Sequence, residues 1–233
     1  MTSLSKNARV AGLLYILASV FSLVRFIYIP SALIVHGNAA ATAGNIASHE
    51  LLFRVGIVCY LLGSALWILV PLALYRLLNA VDQELAVLMV ILGSLMQVPI
   101  FFINSATDAA ALLFARGADF LSVFDKAQRE AFTMLSLNLH HQLDLANAIF
   151  WGLWLLPFGL LLYRSRFLPR LLGVWLMLGC FAWLAFSLTG FLFPGHEEQA
   201  LTMGQPVALG EVATMLWLVI MGAKERHSTA ATP

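Results

Sequence analysis

Charge is scarce in this chain. Of its 233 residues, 13 are Lys or Arg and 12 are Asp or Glu, 11% in all, against about 25% in soluble domains. With 61% of the residues hydrophobic, that shortage excludes an ordinary soluble fold and leaves a polytopic membrane protein. No polar stretch is long enough to make a separate soluble domain. Cysteine is almost missing as well. Cys59 and Cys180 each sit in an apolar run, with no C-x-x-C pair, and read as small buried hydrophobes. A formal net charge of +1 gives no footprint for nucleic acid. Also absent are a Gly-rich phosphate loop, a nucleophile elbow, a haem-attachment motif and any repeat of fixed period.

What is present is a series of long apolar runs. The densest stretch of information lies between Asn138 and Gly173. It opens with His140, His141 and Asp144, continues through an apolar run from Leu145 to Tyr163 broken by Asn147, and closes on Arg164, Arg166 and Arg170. A run of that length spans a bilayer, and the basic cluster behind it marks the cytoplasmic side. Extended along the chain, the same reading gives an all-α bundle of six transmembrane helices, at about 10–30, 51–78, 85–114, 138–163, 168–193 and 206–222. They form a single transmembrane domain over 1–233, with 227–233 as a disordered tail. The first span is uncleaved, since Arg25 and more apolar residues follow the run from Val10 to Leu23.

Local signals refine this picture. Residues 36–48 read as a loop with at most one weak helical turn. Pro99 predicts a kink in the third span. Asp125 and Gln128 form a capping-box pattern that starts the fourth helix near Lys126. From there to Tyr163 the helix exceeds the bilayer thickness, so it either projects into water or breaks near Asn138. Pro206 suits the first position of the sixth helix. Lys6, Arg9, Arg76, Arg164, Arg166, Arg170, Lys224 and Arg226 fall on one side, and Arg54, Arg116, Lys126 and Arg129 on the other. By the positive-inside rule both termini are cytoplasmic.

Several polar residues lie at membrane depth. Ser136, His140, Asp144 and Asn147 share one helical face, and Gln97, Asn104 and Asp108 share another. Arg25, Arg54, Asn104, Asp108 and Asp144 come out at similar heights, and Glu211 is the deepest carboxylate. Charged groups at that depth face a bundle interior or a wet cavity, so spans 1, 3, 4 and 6 are expected to converge on a polar pocket open to the outside. Snorkelling to the interface accounts equally for Arg25, Arg54, Asp108 and His141. It fits the shorter Glu211 and Asp144 side chains less well. For Glu211 the sequence offers Arg25, Arg54 and His140 as charge partners. A metal at His140 and Asp144, with Glu211 or Asp108 as a third ligand, is a weaker alternative, with no H-x-x-x-H or repeated E-x-x-H to support it; no other cofactor is implied. The six tryptophans read as interface-belt and packing residues.

Three phrases carry a resemblance. AAATAGNIASHELLFRVGI (39–57), LLLYRSRFLPRLLGV (160–174) and GEVATMLWLVIMG (210–222) resemble a family of bacterial integral membrane proteins, catalogued as domain of unknown function 4386. The resemblance runs from about Ala8 to Lys224. It implies a multi-pass protein of the bacterial cytoplasmic membrane and supplies no catalytic residue. His49, Glu50, Arg54 and Glu211 fall inside the resembling phrases, and Asp144 outside them.

The leading expectation is a polar pocket that binds a small amphiphile or lipid-like molecule, in contact with membrane lipids. Acid–base chemistry there would fall to Glu211, Asp144 and His140, and ligand contacts to Arg25, Arg54, Asn104, Asp108, His141 and Asn147. A small proton-coupled carrier is one alternative, although no inverted repeat is visible. A membrane partner or assembly factor without chemistry is another, in which Gly63, Ser64 and Ala65 pack against a second protein. The sequence is silent on oligomeric state.

Overall fold

The computed structural model describes residues 3–223. Lys224, Arg226 and the tail at 227–233 lie outside the described residues. Among the described residues the fold is all-α, and six helices are long and apolar enough to cross a membrane. In chain order the helices are α1 (Ser3–Leu33), a short α2 (Ala39–Ser48), α3 (Glu50–Leu78), α4 (Gln83–Arg116), α5 (Lys126–Ser165), α6 (Arg170–Leu192) and α7 (Glu197–Ile220).

Helix ends follow local chemistry. Asp125 Oδ1 accepts from Gln128 N at 2.8 Å, and Gln128 Oε1 accepts from Asp125 N at 2.9 Å. This is the reciprocal capping box the sequence predicts, and α5 begins at Lys126. Asp82 caps α4 by accepting from Leu85 N at 3.1 Å. Gly117 closes the same helix in the left-handed conformation, with φ 66°.

Interruptions follow proline. Pro99 has no N–H to give to the carbonyl of Leu95, and α4 passes through a π-helical turn at Ile91–Leu95 before resuming at Val98. The break in α5 falls at Trp154 and not near Asn138. Nothing at Asn138 opposes the helix, whereas Pro157 cannot bond the carbonyl of Leu153. In α1 a π turn at Val24–Tyr28 precedes Pro30. Its one buried residue is Arg25.

Two further sequence readings are corrected. Residues 39–48 form a regular helix, because Asn38 caps it by accepting from Ala41 N at 2.9 Å and alanine propagates it well. The last helix starts at Glu197 and carries Pro206 in its interior. Glu197 and Glu198 in its first turn suit the positive end of the helix dipole.

The chain divides into two compact units. One holds the N-terminal part of α1 to Ile16, Ile68–Leu95 and everything from Ala148; the other holds Leu17–Trp67 and Met96–Asn147. In the second, Ile29, Leu33, Ile46, Phe53, Ala111, Leu112 and Leu137 form one buried cluster. In the first, α5 and α6 approach so closely that a Cβ on either Gly159 or Gly173 would lie 2.5 Å from the other's carbonyl oxygen. Lipid is as apolar as leucine, so such close packing, and not hydrophobic expulsion, holds helices together. Helix ends within this unit also meet. Arg164 Nη1 donates to Asp82 Oδ2 at 2.8 Å, and Arg9 Nη2 to the Ile220 carbonyl at 3.4 Å. Gly63, in the second unit, is used inside the chain: its Cβ position would lie 2.6 Å from Ser22 Oγ of α1. Ser64 is buried beside it, its hydroxyl donating to the Tyr60 carbonyl at 2.7 Å.

Candidate functional site

The polar stripes on α4 and α5 meet in the second unit. Asp108 pairs with His140, and one turn along each helix Asn104 pairs with Asp144. A step of four residues on both helices fixes an antiparallel register, and Ala111 and Leu137 continue it into the apolar cluster. Arg25 enters from the π turn of α1. Its Nε donates to Asp108 Oδ2 at 2.6 Å and its Nη2 to Asp108 Oδ1, a bidentate clamp.

His140 stands between two carboxylates. Its Nδ1 lies 3.0 Å from Asp108 Oδ1, too oblique for a hydrogen bond, and its Nε2 lies 3.3 Å from Asp144 Oδ2. Asp144 also accepts from Asn104 Nδ2 at 2.7 Å. The Tyr60 hydroxyl oxygen is 3.4 Å from the same Asn104 nitrogen, and its ring lies 5.5 Å from the His140 ring. The whole set is enclosed: Asp108 and Asn104 are 0% exposed, Arg25 4%, Tyr60 4%, His140 5% and Asp144 7%.

The charges balance in one protonation state. Arg25 and a protonated His140 offset Asp108 and Asp144, whereas a neutral His140 leaves one negative charge in the enclosed set. Histidine is the residue whose proton is exchanged most readily near neutral pH. Asn147, one turn beyond Asp144 on the same face, is 0% exposed, and among the described residues neither end of its amide has a hydrogen-bond partner. The Asn104 Oδ1 atom is also without one.

The remaining expected site residues lie elsewhere. Arg54 is exposed and donates to Glu50 at 2.7 Å, and Arg116 reaches the same carboxylate at 3.1 Å. Arg54 therefore belongs to a surface ion-pair group at the α3 start, outside the buried set. His141 is exposed on α5, one position off the stripe. Glu211 belongs to the first unit, and its partners are not the cations the sequence offers. Its Oε2 accepts from the Tyr15 hydroxyl, and its Oε1 from Trp183 Nε1 at 3.0 Å. Among the described residues no group of three His, Cys, Asp or Glu is gathered as a metal would require.

Three participants escape sequence reasoning: Tyr60, Tyr15 and Trp183. Each stands in an apolar run, where an aromatic ring reads as packing. The only signal is that a buried tyrosine hydroxyl or indole N–H needs a partner, and the carboxylates and amides on the other helices are the available ones.

No curated protein matches this chain, and no solved structure does. A family model does, over residues 10–222, with the description "Domain of unknown function (DUF4386)". Covering nearly the whole helical part, that match places the chain in the DUF4386 family.

Proposed function

We propose that this multi-pass membrane protein works through an exchangeable proton held by the Arg25–Asp108–His140–Asp144 set, as a small proton-linked carrier or an intramembrane acid–base catalyst. One observation carries the reading: the His140 ring is enclosed between two carboxylates. A purely structural ion pair needs only Arg25 and Asp108. Adding a histidine and a second carboxylate builds a group that is neutral with one proton and charged without it. Ionisable groups at membrane depth serve proton relays and ion pathways more often than they serve stability.

The amphiphile-binding pocket stands as the second reading. It is favoured by the unpartnered amide atoms of Asn147 and Asn104 beside Asp144, which a bound polar head group would satisfy. By the charge asymmetry of the loops, both termini would be cytoplasmic, with the buried set in the outer half of the membrane; a bacterial membrane is what the family resemblance implies. Gly63 and Ser64 pack inside the chain, which leaves the partner-protein reading with less to rest on.

The test is a pH jump on proteoliposomes adsorbed to a solid-supported membrane. Wild type is expected to give a transient charge displacement, and His140→Gln to lose it. Equal displacement in both, or none in wild type, removes the proton-linked reading. Mass spectrometry of molecules retained after mild extraction addresses the second: a stoichiometric amphiphile, lost in Asn147→Leu, supports the pocket.

A further inference from the structure

Glu211 forms a centre of its own in the first unit, apart from the residues of the proposed function. It lies on α7, within a stretch that a bilayer would cover, and is only partly buried. Its two oxygens are held by neutral donors from two other helices, the Tyr15 hydroxyl from α1 and the Trp183 indole N–H from α6. Among the described residues no Lys, Arg or His pairs with it. Asp108, Glu50 and Asp82, by contrast, each have an arginine: Arg25, Arg54 and Arg164.

The two donors belong to aromatic rings that pack against further rings. Trp183 meets Trp151 at 5.2 Å between ring centroids and Phe186 at 6.0 Å. Tyr15 meets Trp154 edge-on at 5.7 Å. On the same helical turn as Glu211, Leu209 is 55% exposed and Val212 45%, so the outer flank is apolar. A single negative charge with hydrogen-bond donors but no cation, aromatic faces and an apolar approach is the chemistry that accepts a hydrophobic cation. An inorganic cation would want several further oxygen ligands, and the surroundings supply ring faces.

We infer that Glu211, Tyr15 and Trp183 form a second binding site, which takes a lipophilic organic monocation such as a hydrophobic ammonium or phosphonium ion. The guest supplies the positive charge that the fold leaves out. It rests its apolar body on Trp183 and Trp151, the two partly exposed rings, and reaches the carboxylate from the bilayer side. Tyr15 and Trp183 stay bonded to the carboxylate and hold its orientation.

Tetraphenylphosphonium is the probe, with the full chain in detergent micelles and binding read by calorimetry. Wild type should bind at one saturable site. Glu211→Gln should weaken binding about thirtyfold or more, the loss expected when one member of a desolvated charge pair is removed. Glu198→Gln, which removes an exposed carboxylate from the same helix, should bind as wild type does. A readout on wild type alone guards against a variant that fails to fold. Labelling of Glu211 by dicyclohexylcarbodiimide, followed by peptide mass spectrometry, should slow when the phosphonium ion is present. No saturable binding by wild type, equal binding by Glu211→Gln, or labelling indifferent to the ion would each overturn the site. None of these outcomes bears on His140, so failure here is distinct from failure of the proton-linked reading.

Discussion

Arg25 and Asp108 are 83 positions apart in the chain, yet the guanidinium clamps the carboxylate through two nitrogens with both side chains enclosed. Breaking such a pair leaves the remaining charge without compensation. Asp108→Asn should therefore lower stability by about 3–5 kcal/mol, read as a fall in the thermal unfolding midpoint in detergent. Arg25→Leu combined with Asp108→Leu should lose much less than the sum of the two single changes, because two apolar residues strand nothing. Additive losses would show that the clamp is not energetically coupled.

Glu211→Gln should behave differently from Asp108→Asn. Its partners are neutral donors, so no charge is stranded. The amide keeps one acceptor oxygen but turns an N–H toward the second donor. The cost should be about 1–2 kcal/mol, well below that of Asp108→Asn in the same assay. A loss as large as that of Asp108→Asn would mean that Glu211 has a cationic partner after all.

Gly159 and Gly173 cannot carry side chains where they touch. A methyl group on either would press on a backbone oxygen of the other helix, and backbone cannot rotate aside as a side chain can. Gly159→Ala should cost about 1–3 kcal/mol. Gly44, whose Cβ position meets no atom within 4 Å, is the comparison: Gly44→Ala in α2 should be neutral or mildly stabilising. Equal midpoints for the two variants would refute the close approach of α5 and α6.

Topology is testable without purification. The excess of basic residues on one side predicts cytoplasmic reporters at both termini and an external tag between Gly117 and Ala118. An external C-terminal reporter would reverse the placement of the Arg25–Asp108–His140–Asp144 set relative to the two aqueous phases.

Much of the fold was legible in the chain. Mean hydropathy over windows of bilayer length depends on local composition alone, so six apolar helices could be read before any contact was known. The Asp125–Gln128 cap was legible for the same reason, being a matter of four consecutive positions. The stripes Gln97–Asn104–Asp108 and His140–Asp144–Asn147 were also visible, since helical periodicity sets them. Which arginine belonged with them was not. Arg25 and Arg54 come out at similar heights, but a π turn ahead of Pro30 accompanies the burial of the first, while the second meets Glu50 four residues away on an exposed face. The partners of Glu211 were likewise hidden, because Tyr15 and Trp183 look like packing residues in an apolar run. In a soluble protein the hydrophobic face of a helix would announce its rotation. Here the lipid-facing and protein-facing sides are both apolar, so rotation and register, and with them the polar pairings between helices, were left to the tertiary structure.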